Sequence, residues 1–158
     1  ASVVGTRTRT GTASPSPDSV TACVLTIRPP SSTISWTFSP LYPRCAIVTS
    51  GGRALARMRL GATGFPDPKV LIAAEDVRVG KPSPEGYELA AARLGLDPHD
   101  CVVIEDAPAG IAAGRAAGAT VLALATTFPA SALVDADMIV PSLASLRITQ
   151  GHDGIEIE

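Results

Sequence analysis

Acidic side chains are scarce through the first third of this 158-residue chain: Asp18 is the only carboxylate before Asp67, against four arginines in residues 1–44. Asp18 lies in SPSPDSV, turn-like text with no second acid behind it. It is a poor nucleophile, because catalytic groups need a rigid support. Histidine is equally sparse, with only His99 and His152. The cysteines, Cys23, Cys45 and Cys101, are odd in number and lack a Cys-x-x-Cys spacing, which excludes a zinc cluster. Cys45 and Cys101 open two apolar runs, where a small thiol packs well, and a reducing, cytoplasmic setting follows. No secretory signal is visible at the N-terminus. The longest apolar stretch, residues 109–125, is broken by Arg115 and several glycines, so no membrane span is expected. A net charge of −2 gives no support for nucleic-acid binding.

What the chain does have is 46% hydrophobic and 18% charged residues, suited to one globular domain. Its texture changes near residue 44. Residues 1–44 are a Ser/Thr/Pro-rich leader of the kind that rarely builds a core, although 19–27 and 35–38 are β-prone. Residues 45–148 alternate short apolar runs with helical segments, and 149–158 read as a frayed tail. Strands are expected at 45–49, 69–73, 101–105, 120–125 and 138–141, with helices at 52–60, 84–94 and 108–117. Gly95 and Gly118 sit where left-handed caps end the last two helices. Such alternation predicts an α/β fold with a doubly wound parallel sheet.

Three segments carry candidate chemistry. In CVVIEDAPAG an apolar strand runs into Glu105 and Asp106, acids placed where ligands of open α/β sheets collect and where Mg²⁺ would sit. In CAIVTSGG the strand runs into Thr49, Ser50 and Gly51; hydroxyls and free amides at a helix start suit a phosphate. In VGKPSPEGY a Gly/Pro turn fixes Lys81 just before a helix. Each has a plainer reading: Asp106 as a helix N-cap with Glu105 solvated beside it, Thr49 and Ser50 as a strand-end turn, and Lys81 as a surface lysine. Arg115 among small residues reads as helix packing. Thr126 and Thr127 border the same sheet edge, where loop polarity explains them equally well. His99 belongs to a turn on the opposite edge.

The ordered set VTSG, GKPSPEGY, VVIEDAPAGIAAGRAAGA and VLALATT resembles the haloacid dehalogenase-like hydrolases, in particular their sugar-phosphatase and β-phosphoglucomutase branch. The resemblance covers about residues 45–148. It implies that Thr49 binds phosphoryl oxygens, that Ser50 and Gly51 offer amides, and that Lys81 neutralises charge. It also implies that Glu105 and Asp106 serve Mg²⁺, and that the substrate is a small phosphorylated metabolite, hydrolysed through an aspartyl-phosphate. A phosphorelay receiver also gathers acids, a hydroxyl and a lysine, but in a different chain order.

The departure concerns the family's first motif, an Asp-x-Asp after an N-terminal apolar strand, which carries the nucleophile and the general acid/base. No such pair precedes Thr49, and there is no room there for the branch's helical cap. The expectation is a core truncated at its N-terminus behind an unrelated leader, explicable by a frame change near residue 44. A catalytically silent core that at most binds phosphate, Mg²⁺ or a partner is the alternative to a phosphatase. Loss of the first strand would expose sheet edges and apolar faces unless residues 1–44 fill that slot.

Overall fold

The computed structural model describes residues 22–25, 45–62, 67–145, 148–151 and 154–157, and for the first and the last two of these segments the backbone course alone. The expected α/β fold is present. A sheet is built from β1 (Ala22–Leu25), β2 (Cys45–Val48), β3 (Val70–Ile72), β4 (Cys101–Glu105), β5 (Thr120–Leu124) and β6 (Met138–Val140). Its order is β3-β2-β1-β4-β5-β6, with every neighbouring pair parallel. Helices α1 (Arg53–Ala62), α2 (Glu85–Leu94) and α3 (Pro108–Ala116) supply the crossovers. Each of these helices, and each strand from β2 to β6, lies within two residues of its sequence-based bounds.

Two regions outside the expected strand list also form strands. The first holds β1, within the β-prone stretch 19–27: it lies at the sheet's centre, pairing Cys23 with Cys45 on one side and Leu25 with Ile104 on the other. The leader thus contributes the strand whose slot would otherwise leave two inner edges open. The stretch 35–38 lies outside the described residues. The second is the C-terminal segment, expected to fray; β7 (Ile148–Gly151) and β8 (Gly154–Ile157) instead pair as an antiparallel hairpin. Ile148 pairs with Ile157 and Thr149 with Glu156, so apolar stands opposite apolar and polar opposite polar across the two strands.

Period-two alternation distributes the core over both sheet faces. Ala46, Val48, Ile72, Val103, Val121 and Ala123 pack on one face with Tyr87, Ala90 and Ala91 of α2 and Ile111 and Ala113 of α3. On the other face Ile47 and Leu71 meet Leu60 of α1, while Ile104, Leu122 and Leu124 form a separate cluster. Each such aliphatic side chain, fully buried, is worth about 1.5–3 kcal/mol relative to exposure. Gly114 lets α3 approach closely, since a Cβ there would stand 2.9 Å from Val121 and 3.1 Å from Val103. Both helix-ending glycines adopt the left-handed conformation, with φ of 72° at Gly95 and 87° at Gly118.

The all-parallel order gathers the strands' carboxyl ends along one edge. Thr49 follows β2, Glu105 ends β4, and the segment after β5 leads to Thr127. Among the described residues, no helix is long and apolar enough to cross a membrane.

Candidate active site

The edge is organised around Glu105, a carboxylate with only 1% of its surface exposed. Its Oε1 accepts from Lys81 Nζ at 2.5 Å and from the Tyr87 hydroxyl, and its Oε2 accepts from the Asp106 backbone N–H at 3.1 Å. A buried charge persists only when paired and hydrogen-bonded, and this one is met from three directions. Gly110 of α3 makes the arrangement possible, because a Cβ there would fall inside the Glu105 carboxylate. Tyr87 reaches the site from α2, whose buried positions Tyr87, Ala90 and Ala91 form one helical stripe.

Lys81 is not a surface lysine: its side chain is 11% exposed. Besides Glu105, its ammonium donates to the Val48 carbonyl at 3.4 Å and lies 4.9 Å from the centre of the Tyr87 ring. Burial pushes its pKa below the usual lysine range, with the Glu105 carboxylate and then Asp106 pulling the other way. The turn preceding α2 fixes its backbone, and the Lys81–Pro82 peptide is cis.

Asp106 differs from its neighbour. Helix α3 starts with Ala107 as cap and Pro108 in its first turn, without a side-chain cap bond, so Asp106 is not spent on capping. Its Oδ2 accepts from the Thr127 hydroxyl at 2.5 Å. Its Oδ1 is, among the described residues, the buried side-chain oxygen with no hydrogen-bond partner.

Thr49, Ser50 and Lys81 line a cleft of about 170 Å³ with Val77, Gly80 and Tyr87. The free amides expected beside the hydroxyls are partly committed. Gly51 N–H donates to Thr49 Oγ1 at 3.1 Å, and Thr49 N–H donates to the Ile72 carbonyl at 2.9 Å. The start of α1 is likewise satisfied by Glu75, both of whose oxygens accept from Arg53 N–H at 3.1 Å. A carboxylate at this position gains from the same helix dipole that would attract a phosphate. Asp76, next in sequence, pairs with Arg53 and with Arg93 at 3.5 Å and accepts from Ala73 N–H at 2.8 Å. The Ala73 hydrogen bond is the main reason its carboxyl stays below the usual range; burial opposes this, and the two arginines add to it.

The structure therefore joins Lys81, Glu105 and Asp106 directly, and sets Thr49 and Ser50 in one cleft with Lys81. The site partners that sequence reasoning missed are Tyr87, Glu75 and Gly110. Tyr87 had a usable signal, since it shares a helical face with two buried alanines two residues into α2. Thr127, which loop polarity explains equally well from sequence alone, is joined to the site through Asp106.

A divalent cation would fit the donors present. Among the described residues no three His, Cys, Asp or Glu side chains gather into a closed metal site. Mg²⁺, however, is commonly held by one or two carboxylates, waters and substrate phosphate. The unpartnered Asp106 Oδ1 is a donor of that kind.

A buried lysine–glutamate pair, an adjacent half-satisfied aspartate and a hydroxyl-bearing turn thus gather at the carboxyl edge of a parallel sheet, where open α/β folds collect their ligands. A family model of the haloacid dehalogenase-like hydrolases matches residues 39–118, and the chain belongs to that family. Hexitol phosphatase A of Escherichia coli (strain K12) is 44% identical over 109 residues, covering 69% of this chain and 50% of the relative. Validoxylamine A 7'-phosphate phosphatase of Streptomyces hygroscopicus subsp. limoneus is 45% identical over 104 residues, or 64% of this chain and 48% of the relative. Among solved structures, a HAD family hydrolase from Deinococcus radiodurans R1 with bound phosphate and sodium aligns with a TM-score of 0.57 and 33% identity. That alignment covers 63% of this chain and 48% of the other. The β-phosphoglucomutase of Clostridium difficile aligns with a TM-score of 0.57 and 28% identity, covering 65% of this chain and 45% of the other. The chain thus spans about half the length of the curated relatives it matches.

Proposed function

We propose that these residues are the phosphate-handling half of a phosphomonoester hydrolase acting on small sugar or polyol phosphates. One observation carries the reading: Lys81 is held almost buried by Glu105 at 2.5 Å, in the cleft that Thr49 also lines, beside an aspartate oxygen with no partner. The relatives' phosphatase activities on hexitol and validoxylamine phosphates support the substrate class.

Each residue has a separate task. Thr49 and Ser50 contact phosphoryl oxygens through their hydroxyls. Lys81, shielded from water, supplies a fixed positive charge whose effect is larger in a desolvated site. Glu105 holds Lys81 in place and keeps the pair electrically balanced. Asp106 is the ligand for Mg²⁺, which when bound would neutralise charge developing on the phosphoryl group. Hydrolysis in this family's manner needs a carboxylate nucleophile, and the sequence following β1 reads Thr26-Ile27-Arg28, with neither acid of an Asp-x-Asp pair. That observation favours a second reading, in which the chain binds phosphorylated ligand or Mg²⁺ without turnover.

Phosphate release from hexose, hexitol and glycerol phosphates with Mg²⁺, together with calorimetric binding of the same compounds, separates the two. Turnover by the parent chain that Lys81→Ala abolishes establishes the hydrolase. Binding without turnover, with release arising only in the double variant Thr26→Asp/Arg28→Asp, establishes the silent form. A chain that neither binds nor hydrolyses any of these compounds rules out both readings.

A further inference from the structure

We infer that Thr127 is a positioning residue, whose hydroxyl selects the oxygen of Asp106 that is presented to a divalent cation. The inference rests on the reading of Asp106 as the cation ligand, and concerns how that ligand is aimed. A carboxylate has two chemically equivalent oxygens and a broad, two-fold side-chain torsion, so an aspartate left to itself offers either one. Here the symmetry is broken. The Thr127 hydroxyl donates to Oδ2 at 2.5 Å, and Oδ1 is left without a partner although Asp106 is only 8% exposed.

The donor is held in place by the sheet. Ala123 of β5 is level with Glu105, and Ala125 N–H donates to the Val140 carbonyl of β6 at 2.9 Å, which ties down the start of the segment bearing Thr127. Asp106 is held from the other side, since its own N–H is bonded to Glu105 Oε2. The neighbouring carboxylate has both oxygens engaged, Oε1 by Lys81 and Tyr87 and Oε2 by Asp106 N–H. The two adjacent acids therefore divide the work: Glu105 anchors the lysine, and Asp106, with one oxygen occupied by Thr127, keeps the other for the cation. Groups that orient a metal ligand in this manner commonly contribute about 10–100-fold to metal affinity.

Thr127 is itself exposed, so its replacement leaves the core intact. The experiment is a titration of the full chain with Mn²⁺, read by electron paramagnetic resonance, on the parent, Thr127→Val, Thr127→Ser and Asp106→Asn. The expected result is that Thr127→Val weakens Mn²⁺ binding about 10–100-fold without moving the thermal melting midpoint. Thr127→Ser, which restores the hydroxyl, returns the parent affinity, and Asp106→Asn loses binding. Parent-like Mn²⁺ affinity in Thr127→Val overturns the inference while leaving Asp106 as the ligand. Binding by the parent no stronger than that of Asp106→Asn removes the cation reading and the inference with it. If Thr127→Val and Thr127→Ser both lose the melting transition, the role is in folding and the inference is equally overturned.

Discussion

Strands β1 and β4 lie side by side at the centre of the sheet, parallel and in register from Ala22 and Cys101 to Leu25 and Ile104. They occupy equivalent places and do unequal things. Beyond Ile104, β4 delivers Glu105 and Asp106, which hold a lysine, a tyrosine and a threonine. Beyond Leu25 the sequence runs Thr26-Ile27-Arg28, with no acid. A slot in a parallel sheet asks only for a short apolar segment that satisfies its ladder, and Ala-Cys-Val-Leu meets that requirement. A catalytic edge asks for particular side chains at particular ends. The first demand is generic, and a β-prone stretch in Ser/Thr/Pro-rich text can meet it; the second is not.

The comparison breaks most severely at the carboxyl end of β4. Glu105→Ala deprives the buried Lys81 ammonium of its carboxylate, and stability in urea unfolding is expected to drop by about 3–5 kcal/mol. A drop below about 1 kcal/mol would place the pair with weak surface salt bridges. The next test concerns the strands' shared place. Proline removes a ladder hydrogen bond, so Val24→Pro and Val103→Pro should each cost about 3 kcal/mol or more. A stability cost confined to Val103→Pro would mean that β1 does not hold its central position in solution.

The smallest effect is at the amino end, where Cys101 lies level with Ala22. The Cys101 thiol is pushed up to about 11 from 9.0, first by burial and then by Asp100 and Asp97. A group that keeps its proton longer when folded contributes stability that is complete below pH 9 and lost as pH rises through about 11. Lys81, whose pKa is lowered, works in the opposite sense: the folded state sheds that proton first, so its burial cost is relieved as pH climbs towards 10.5. Cys101→Ala should therefore reduce the alkaline loss of stability, seen as urea midpoints that fall less from pH 8 to pH 11. An unchanged slope would assign that loss to other groups.

Much of this was legible in the sequence because it is written locally. The run Cys-Ala-Ile-Val before Thr-Ser-Gly-Gly, the glycine stops at 95 and 118, and the acids after Ile104 each announce an element end. Lys81 and Glu105 were both singled out, yet their pairing was not, since it joins residues 24 apart through the fold. Tyr87 was hidden for the same reason: its hydroxyl finds Glu105 only after α2 has packed on the sheet. Glu75 is hidden from local text, because the carboxylate that meets the start of α1 comes from a turn 22 residues later. The leader strand was visible only as a β-prone stretch, because β-propensity measures fit to a partner surface that local text does not contain.

Gly110 has no side chain to bring to the edge; it contributes room. The Glu105 carboxylate occupies the space where any other residue would place its first side-chain carbon. Part of the site's specification is thus a vacancy in a helix, transmitted through Glu105 to Lys81. The set of positions at which a substitution can disable the site is accordingly larger than the set that touches a ligand, and one member of it is defined by having no side chain.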